Sequence, residues 1–331
     1  MINLPCLLHG SWIHHKGEPL SEFSMIKLWW DIRDVRLYYP YFYRKLDGSI
    51  LFPSAGQGWY WWPEYASNSD GHLVESWSYV TSCKCKPFSF IPDVYSYRLK
   101  LKEEGSYVQL AIKLAMNSFY GKVVQKVGYN EYTKKKPTYH ALTWGGYITS
   151  LTRAALFDAA NQKPFDTIMF ATDAIYTTKK LDLPCSTKLG DWDYYMYDGI
   201  TIVQPGVYWV KDKNKWLEKY RGFDPESLHR DKVVSLWQEK QTEYVASLTR
   251  FITLGSALIS DRYWNDWRKW ITSDRVLDLI PKGKRWEFQS NDYSKELCAS
   301  EPMWNPDAAF DMSRKYEIPW APEEINYERE L

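Results

Sequence analysis

An α+β fold is predicted from three features of the chain. Up to about residue 92, apolar and polar residues alternate between glycine and proline turns, as in strands. Residues 93–125 then carry helical spacing, interrupted at Gly105. Residues 166–178 are apolar on both sides of Thr172-Asp173 and read as a hairpin of two buried strands with one acid at its tip.

Taken in order, the first thirty residues are apolar and turn-rich, with Leu4-Pro5 and His9-Gly10 steps. Residues 31–45 alternate through Val35, Leu37, Tyr39 and Tyr41 as a strand does. Residues 48–53 and 56–62 read as a strand, a glycine turn and an aromatic strand, and 74–85 continue strand-like. Residues 94–104 and 106–124 form a short helical hairpin, and 130–137 a polar turn. Ile148, Leu151, Ala155 and Leu156 give a long helix over 141–160 its core face. Strand-like segments return at 200–210, with a turn-rich stretch at 219–223. From 225 to 280 the pattern is helical. Trp264, Trp267 and Trp270 recur there every three residues, with Arg262, Arg268 and Lys269 interspersed. A tryptophan stripe at that spacing is more often core than a base-stacking platform. Pro281–Arg285 is a basic turn without a glycine-rich phosphate loop.

Composition narrows the function. The 331 residues give room for two or three subdomains, and 18 Trp with 26 Tyr can fill cores or stack on bases. A net charge of +1 excludes strong whole-molecule attraction to nucleic acid, so any such surface is local. Residues 98–136 hold nine Lys/Arg against three Glu, while 301–331 hold eight acids against three bases and read as an acidic tail. Five cysteines form no paired framework; Cys83 and Cys85 are close, but no histidine or second pair is near in sequence, so no zinc site is expected. A basic leader and a run of membrane length are lacking, so a cytoplasmic protein without a membrane partner is expected. Metalloprotease, P-loop, nucleophile-elbow and dinucleotide motifs do not occur.

The stretch richest in chemistry is Lys113–Lys122. Helical spacing aligns Lys113, Asn117 and Tyr120-Gly121 as an ammonium, an amide and a phenol along one stripe. A nucleoside triphosphate needs charge for its phosphates, a polar contact for its sugar and a flat surface for its base. Gly121 leaves room for a close backbone approach. The competing reading is an amphipathic core helix burying Leu114, Met116 and Phe119. Arg98 and Lys102 share a face on the first arm of the hairpin, and with Lys113 they make a triphosphate clamp.

Lys113-x-x-x-Asn117-Ser118-x-Tyr120-Gly121 resembles the nucleotide-binding signature K-x-x-x-N-S-x-Y-G of family B DNA polymerases. In the matching order, Arg98 and Lys102 look like the basic residues of the first fingers helix, and Ala171-Thr172-Asp173-Ala174 resembles the D-T-D-S metal motif. Arg153 lies in an Ile-Thr-Ser-Leu-Thr-Arg helix like the one preceding that hairpin, and 48–64 resembles the viral, plasmid and organellar branch, which includes protein-primed replicases. The resemblance implies a right-hand fold. A partial palm with a β-rich insertion would span 1–92, helical-hairpin fingers 93–125, an antiparallel-sheet palm with the metal hairpin 126–224, and a mostly helical thumb with an acidic tail 225–331.

The resemblance further implies template-directed DNA synthesis, with Asp173 as catalytic and metal-binding residue for two Mg²⁺ ions. Arg98, Lys102, Lys113, Asn117, Tyr120 and Gly121 would take the nucleotide, and Tyr208, Arg221 and Gly222 the primer–template. Implied partners are primer–template DNA, dNTPs, and a separate N-terminal polymerase chain or a priming terminal protein; the implied location is the host cytoplasm if the source is viral. The chain departs from the pattern at Ala171, at Ala174 and at Gly206-Val207-Tyr208, which lacks the lysine of K-x-Y. The D-x-x-S-L-Y-P motif with the other metal-binding Asp has only a degenerate echo at Asp34–Pro40, and the family's exonuclease is missing. The expected protein is therefore the C-terminal part of a split or truncated polymerase, or else a catalytically defective remnant that binds primer–template, nucleotide or a partner.

Overall fold

The computed structural model describes residues 3–32, 39–44, 50–52, 55–68, 70–125, 139–204, 206–259, 265, 267–279 and 286–289. Asp34, Trp264, Cys298, the polar turn at 130–137, the basic turn at 281–285 and the acidic tail lie outside the described residues. Two compact units divide the chain, one carrying the described residues up to Asp193 and the other those from Tyr194.

In the first unit, β1 (Gly10–Lys16), β2 (Ser24–Asp31), the short pair β3 (Tyr43–Arg44) and β4 (Ile50–Leu51), and β5 (Ala55–Trp61) precede a short helix α1 (Trp62–Ala66) and β6 (Gly71–Thr81). Among the described residues β1-β6-β2-β5 form an antiparallel sheet. β2 falls in a stretch expected to be turn-rich. Its period-two pattern accounts for the strand: Ile26, Leu28 and Trp30 are buried while Trp29 and Asp31 are exposed. Trp30, Tyr41 and Tyr60 pack ring on ring at 5.0–5.6 Å. A second cluster gathers Leu4, Phe23, Trp61, Tyr79, Phe88, Ile91, Val123 and Tyr147. Many of the aromatics in this unit are thus core, where such ring pairs add about 0.5–1.5 kcal/mol each beyond burial.

Helices α2 (Ile91–Glu103) and α3 (Val108–Val124) pack together as a hairpin. The break falls at Gly105, whose φ of +71° suits a residue without Cβ. Ser106 N–H donates to Leu101 O at 2.9 Å and Gly105 N–H to Lys102 O at 3.2 Å, the Schellman pairing that ends α2. The long helix α4 (Leu142–Asn161) packs on α1, α3, β5 and β8, the second strand of the pair β7 (Thr167–Ala171) and β8 (Ala174–Thr177). That hairpin is less enclosed than its apolar residues predict. Only Thr167 is buried and Phe170 is exposed, because among the described residues it is a two-stranded ribbon with α4 beside it.

In the second unit, β9 (Gly199–Gln204), β10 (Val207–Asp212) and β11 (Lys215–Tyr220) form an antiparallel meander. The helix α5 (Arg230–Gln238), β12 (Glu243–Phe251), α6 (Leu254–Ile259), β13 (Trp270–Asp278) and β14 (Trp286–Gln289) follow, with β14 paired to β9. The helical pattern expected over 225–280 is therefore corrected: β12 and β13 form a nine-pair antiparallel ladder there. Tyr244 and Ala246 alternate inward with exposed Glu243 and Val245, and they join Trp209, Leu228, Val233, Leu277 and Leu279 in the core. Trp267 and Trp270, the described members of the tryptophan stripe, do not lie on a core helix either. Trp270 opens β13, 69% exposed, with its ring 5.5 Å from Phe251, and Trp267 sits in a turn under the Arg268 guanidinium at 4.4 Å.

Candidate nucleotide-binding site

α3 presents two faces. Val123 is buried, and Met116, Phe119 and Val124 pack against the aromatic cluster. Leu110, Lys113, Leu114 and Asn117 are exposed, with Leu114 72% accessible, so the competing core reading fails at that residue. Tyr120 is 37% exposed at the margin of the two faces. A methyl placed on Gly121 would meet nothing within 4 Å, so this backbone is open to a close ligand. The helix itself is well anchored: Ala141 N–H donates to Val123 O at 2.8 Å, and Gly145 of α4 leaves room for Val124.

Arg98 and Lys102 lie on α2 and Lys113 on α3, so one hairpin carries all three cations. Lys102 and Lys113 are exposed. Arg98 is half-buried, its guanidinium carbon 6.0 Å from the Tyr95 ring centroid. Its Nε is buried without a hydrogen-bond partner among the described residues, which suits an anionic acceptor brought by a ligand.

Asp173 sits, exposed, in the two-residue connection between β7 and β8. Thr172 beside it adopts φ +62°, a strained conformation for a β-branched residue. The base of the hairpin is locked by Asp166. Its carbonyl accepts from Thr178 N–H at 2.8 Å, and its Oδ1 accepts from Thr178 Oγ1 at 2.6 Å and faces Lys179 Nζ at 3.3 Å. The Thr178 hydroxyl, aided by Lys179, holds the Asp166 carboxyl below the usual range. Since α4 packs on both α3 and β8, one helix supports the exposed stripe and the Asp173 hairpin together.

A two-ion centre needs carboxylates that share both ions. Among the described residues Asp173 belongs to no cluster of three potential metal donors, and a single carboxylate does not fit such a pair of ions. Tyr208, Arg221 and Gly222 belong to the second unit. Tyr208 is half-buried on β10 opposite Lys219, and Arg221 is exposed just after β11, its N–H donating to Gly206 O at 3.0 Å. Gly222 has φ +81°, and its carbonyl accepts from Arg275 Nη1 at 3.1 Å.

One cluster escaped the sequence. Cys83 has a histidine neighbour after all, because the β1–β6 ladder brings His9 and Cys6 to it. The spacing Cys6-x-x-His9 signals that pair alone, and only the strand pairing adds Cys83 to it.

No family model matches the chain, and no solved structure does. A DNA polymerase of Acidianus bottle-shaped virus (isolate Italy/Pozzuoli) is 24% identical over 145 residues. The match covers 44% of this chain and 21% of that protein, so the chain spans about a fifth of its viral relative and is similar in that part to a DNA polymerase.

Proposed function

We propose that this chain grips a deoxynucleoside triphosphate for template-directed DNA synthesis, as the palm, fingers and thumb portion of a family B polymerase. The observation that carries the reading is the solvent-facing Lys113, Asn117, Tyr120 and Gly121 stripe on a helix whose opposite face is fixed in the core. The similarity to a viral DNA polymerase supports it. In this reading Lys113, Arg98 and Lys102 neutralise the phosphates by charge-assisted hydrogen bonds, while Asn117 and Tyr120 line the sugar and base. Tyr208, Arg221 and Gly222 contact the primer–template backbone.

Bound Mg²⁺ would activate the primer 3′-hydroxyl and neutralise charge on the triphosphate. Asp173 would hold it together with a second carboxylate from outside the described residues. Asp34 is the candidate in this chain, and a separate N-terminal polymerase chain is the other source.

A second reading, a nucleotide- or primer–template-binding module without catalysis, is favoured by Ala171 and Ala174 on either side of Asp173. Primer extension by the chain with Mg²⁺ and dNTPs separates the two. Extension that is lost in Asp173→Ala supports the polymerase. Nucleotide binding without extension, unchanged by that substitution, supports the module. Extension unaffected by Asp173→Ala removes that residue from the site.

A further inference from the structure

The loop Cys6–His9 and the exit of β6 meet at a cluster that the nucleotide site does not use. His9 Nδ1 lies 3.4 Å from Cys6 Sγ and 3.3 Å from Cys83 Sγ. The three donor atoms lie within 4.8 Å of one another. Cys85 adjoins Cys83, its N–H donating to Cys83 Sγ at 3.3 Å, and its own sulfur is not one of the three clustered donors.

We propose that Cys6, His9 and Cys83, joined by a turn of the exposed Cys85 side chain toward them, form a tetrahedral zinc site that clips the N-terminal segment to the loop leading into α2. A ring nitrogen has one lone pair or one N–H, so it serves one thiol at a time, yet two sulfurs approach Nδ1 at nearly equal range. A cation between them satisfies all three donors. Zinc with ligand bonds of about 2.0–2.3 Å and tetrahedral angles sets sulfur and nitrogen about 3.5 Å apart, close to what is seen. Three thiolates and an imidazole, with no carboxylate, are a soft set that favours zinc over magnesium or calcium.

The surroundings hold the ligands in place independently of any metal. Tyr79 Oη donates to Cys6 O at 2.8 Å, Thr81 Oγ1 donates to His9 O at 2.5 Å, and Cys83 N–H donates to Thr81 Oγ1 at 3.0 Å. Lys86 Nζ also donates to Asn3 Oδ1 at 3.0 Å, tying the same two segments. Such an outer shell orients ligands and sharpens metal affinity. Cys6 is buried while Cys85 is exposed, so the site has a dry side and an entry side. Four protein donors leave no position for substrate, which makes the role structural.

Elemental analysis of protein purified without chelator tests this. One zinc per chain is expected, falling to background in Cys6→Ser and Cys83→Ser and unchanged in Cys185→Ser, whose cysteine is exposed and separate. Should the ligand variants fail to fold, the wild-type protein still decides. Cobalt(II) added to the metal-free chain should give tetrahedral d–d bands and a thiolate charge-transfer band, and an organomercurial should release zinc to a chelating dye. Wild-type protein that binds neither metal overturns the site, as does full zinc retention in folded Cys6→Ser and Cys83→Ser or zinc loss in Cys185→Ser.

Discussion

Arg153 donates from Nε to Oε1 of Glu64 at 2.5 Å, tying α4 to α1 across 89 positions of sequence. Glu64 is almost wholly buried, and its other oxygen accepts from Trp61 N–H at 3.4 Å. The Arg153 guanidinium also lies 4.8 Å from the Phe42 ring centroid. Arg153→Met should cost about 3 kcal/mol, because it leaves a buried carboxylate without its cation. Glu64→Gln should cost less, since Arg153 is one-third exposed and can hydrate. Urea unfolding of Arg153→Met, of Glu64→Leu and of the two combined gives the coupling, and the double variant should recover most of the loss.

Thr172 offers a gain. A β-branched residue at φ +62° carries about 1 kcal/mol or more of strain, which asparagine tolerates. Thr172→Asn should raise thermal stability, and a fall in melting temperature would contradict the strain.

Acid should loosen the base of the hairpin. The Asp166 carboxyl is held low in the folded chain by Thr178, so its contribution is fully present above the ordinary carboxylate range. That contribution is lost as pH falls through the lowered folded value. Asp166→Asn should therefore be less stable than the wild type at neutral pH, with the gap closing below about pH 4. Paired pH–stability curves that stay parallel would rule this out.

The stripe on α3 should be separable from stability. Lys113 and Asn117 are exposed, so Lys113→Ala and Asn117→Ala should shift unfolding by less than about 0.5 kcal/mol. Lys113→Ala should weaken dNTP binding about tenfold or more, in keeping with a lost charge-assisted bond of about 1.5–3 kcal/mol. Calorimetry with a dNTP reads the affinity, and circular dichroism reads the fold.

Trp270 faces solvent opposite Phe251, and such a cross-strand pair contributes about 0.2–1 kcal/mol. Trp270→Ala should cost no more than that. If DNA affinity falls while stability holds, the exposed ring is a stacking surface.

What was legible in the chain were the features with strong local causes. Gly105 broke two helical patterns and sits at the left-handed residue that ends α2. The pair Thr172-Asp173 between apolar runs became the tip of a two-stranded ribbon. The ladder of β12 with β13 was hidden because tryptophans spaced by three imitate a helix, while the true signal was the period-two burial of Tyr244 and Ala246. The meeting of His9 with Cys83 was illegible for another reason. It depends on strand register, Gly10 opposite Thr81, which no local pattern encodes.

Gly145 and Gly146 stand side by side in α4, pointing about 100° apart. A methyl on the first would collide with Val124 and lie 3.8 Å from Tyr120, and one on the second would come within 2.6 Å of Trp61 Nε1. Each glycine weakens the helix by about 1 kcal/mol relative to alanine. Two absent side chains thus act as a gauge: they set how near α3 and the β5–α1 corner stand to the helix that also carries the Asp173 hairpin, and any larger residue would reset that spacing.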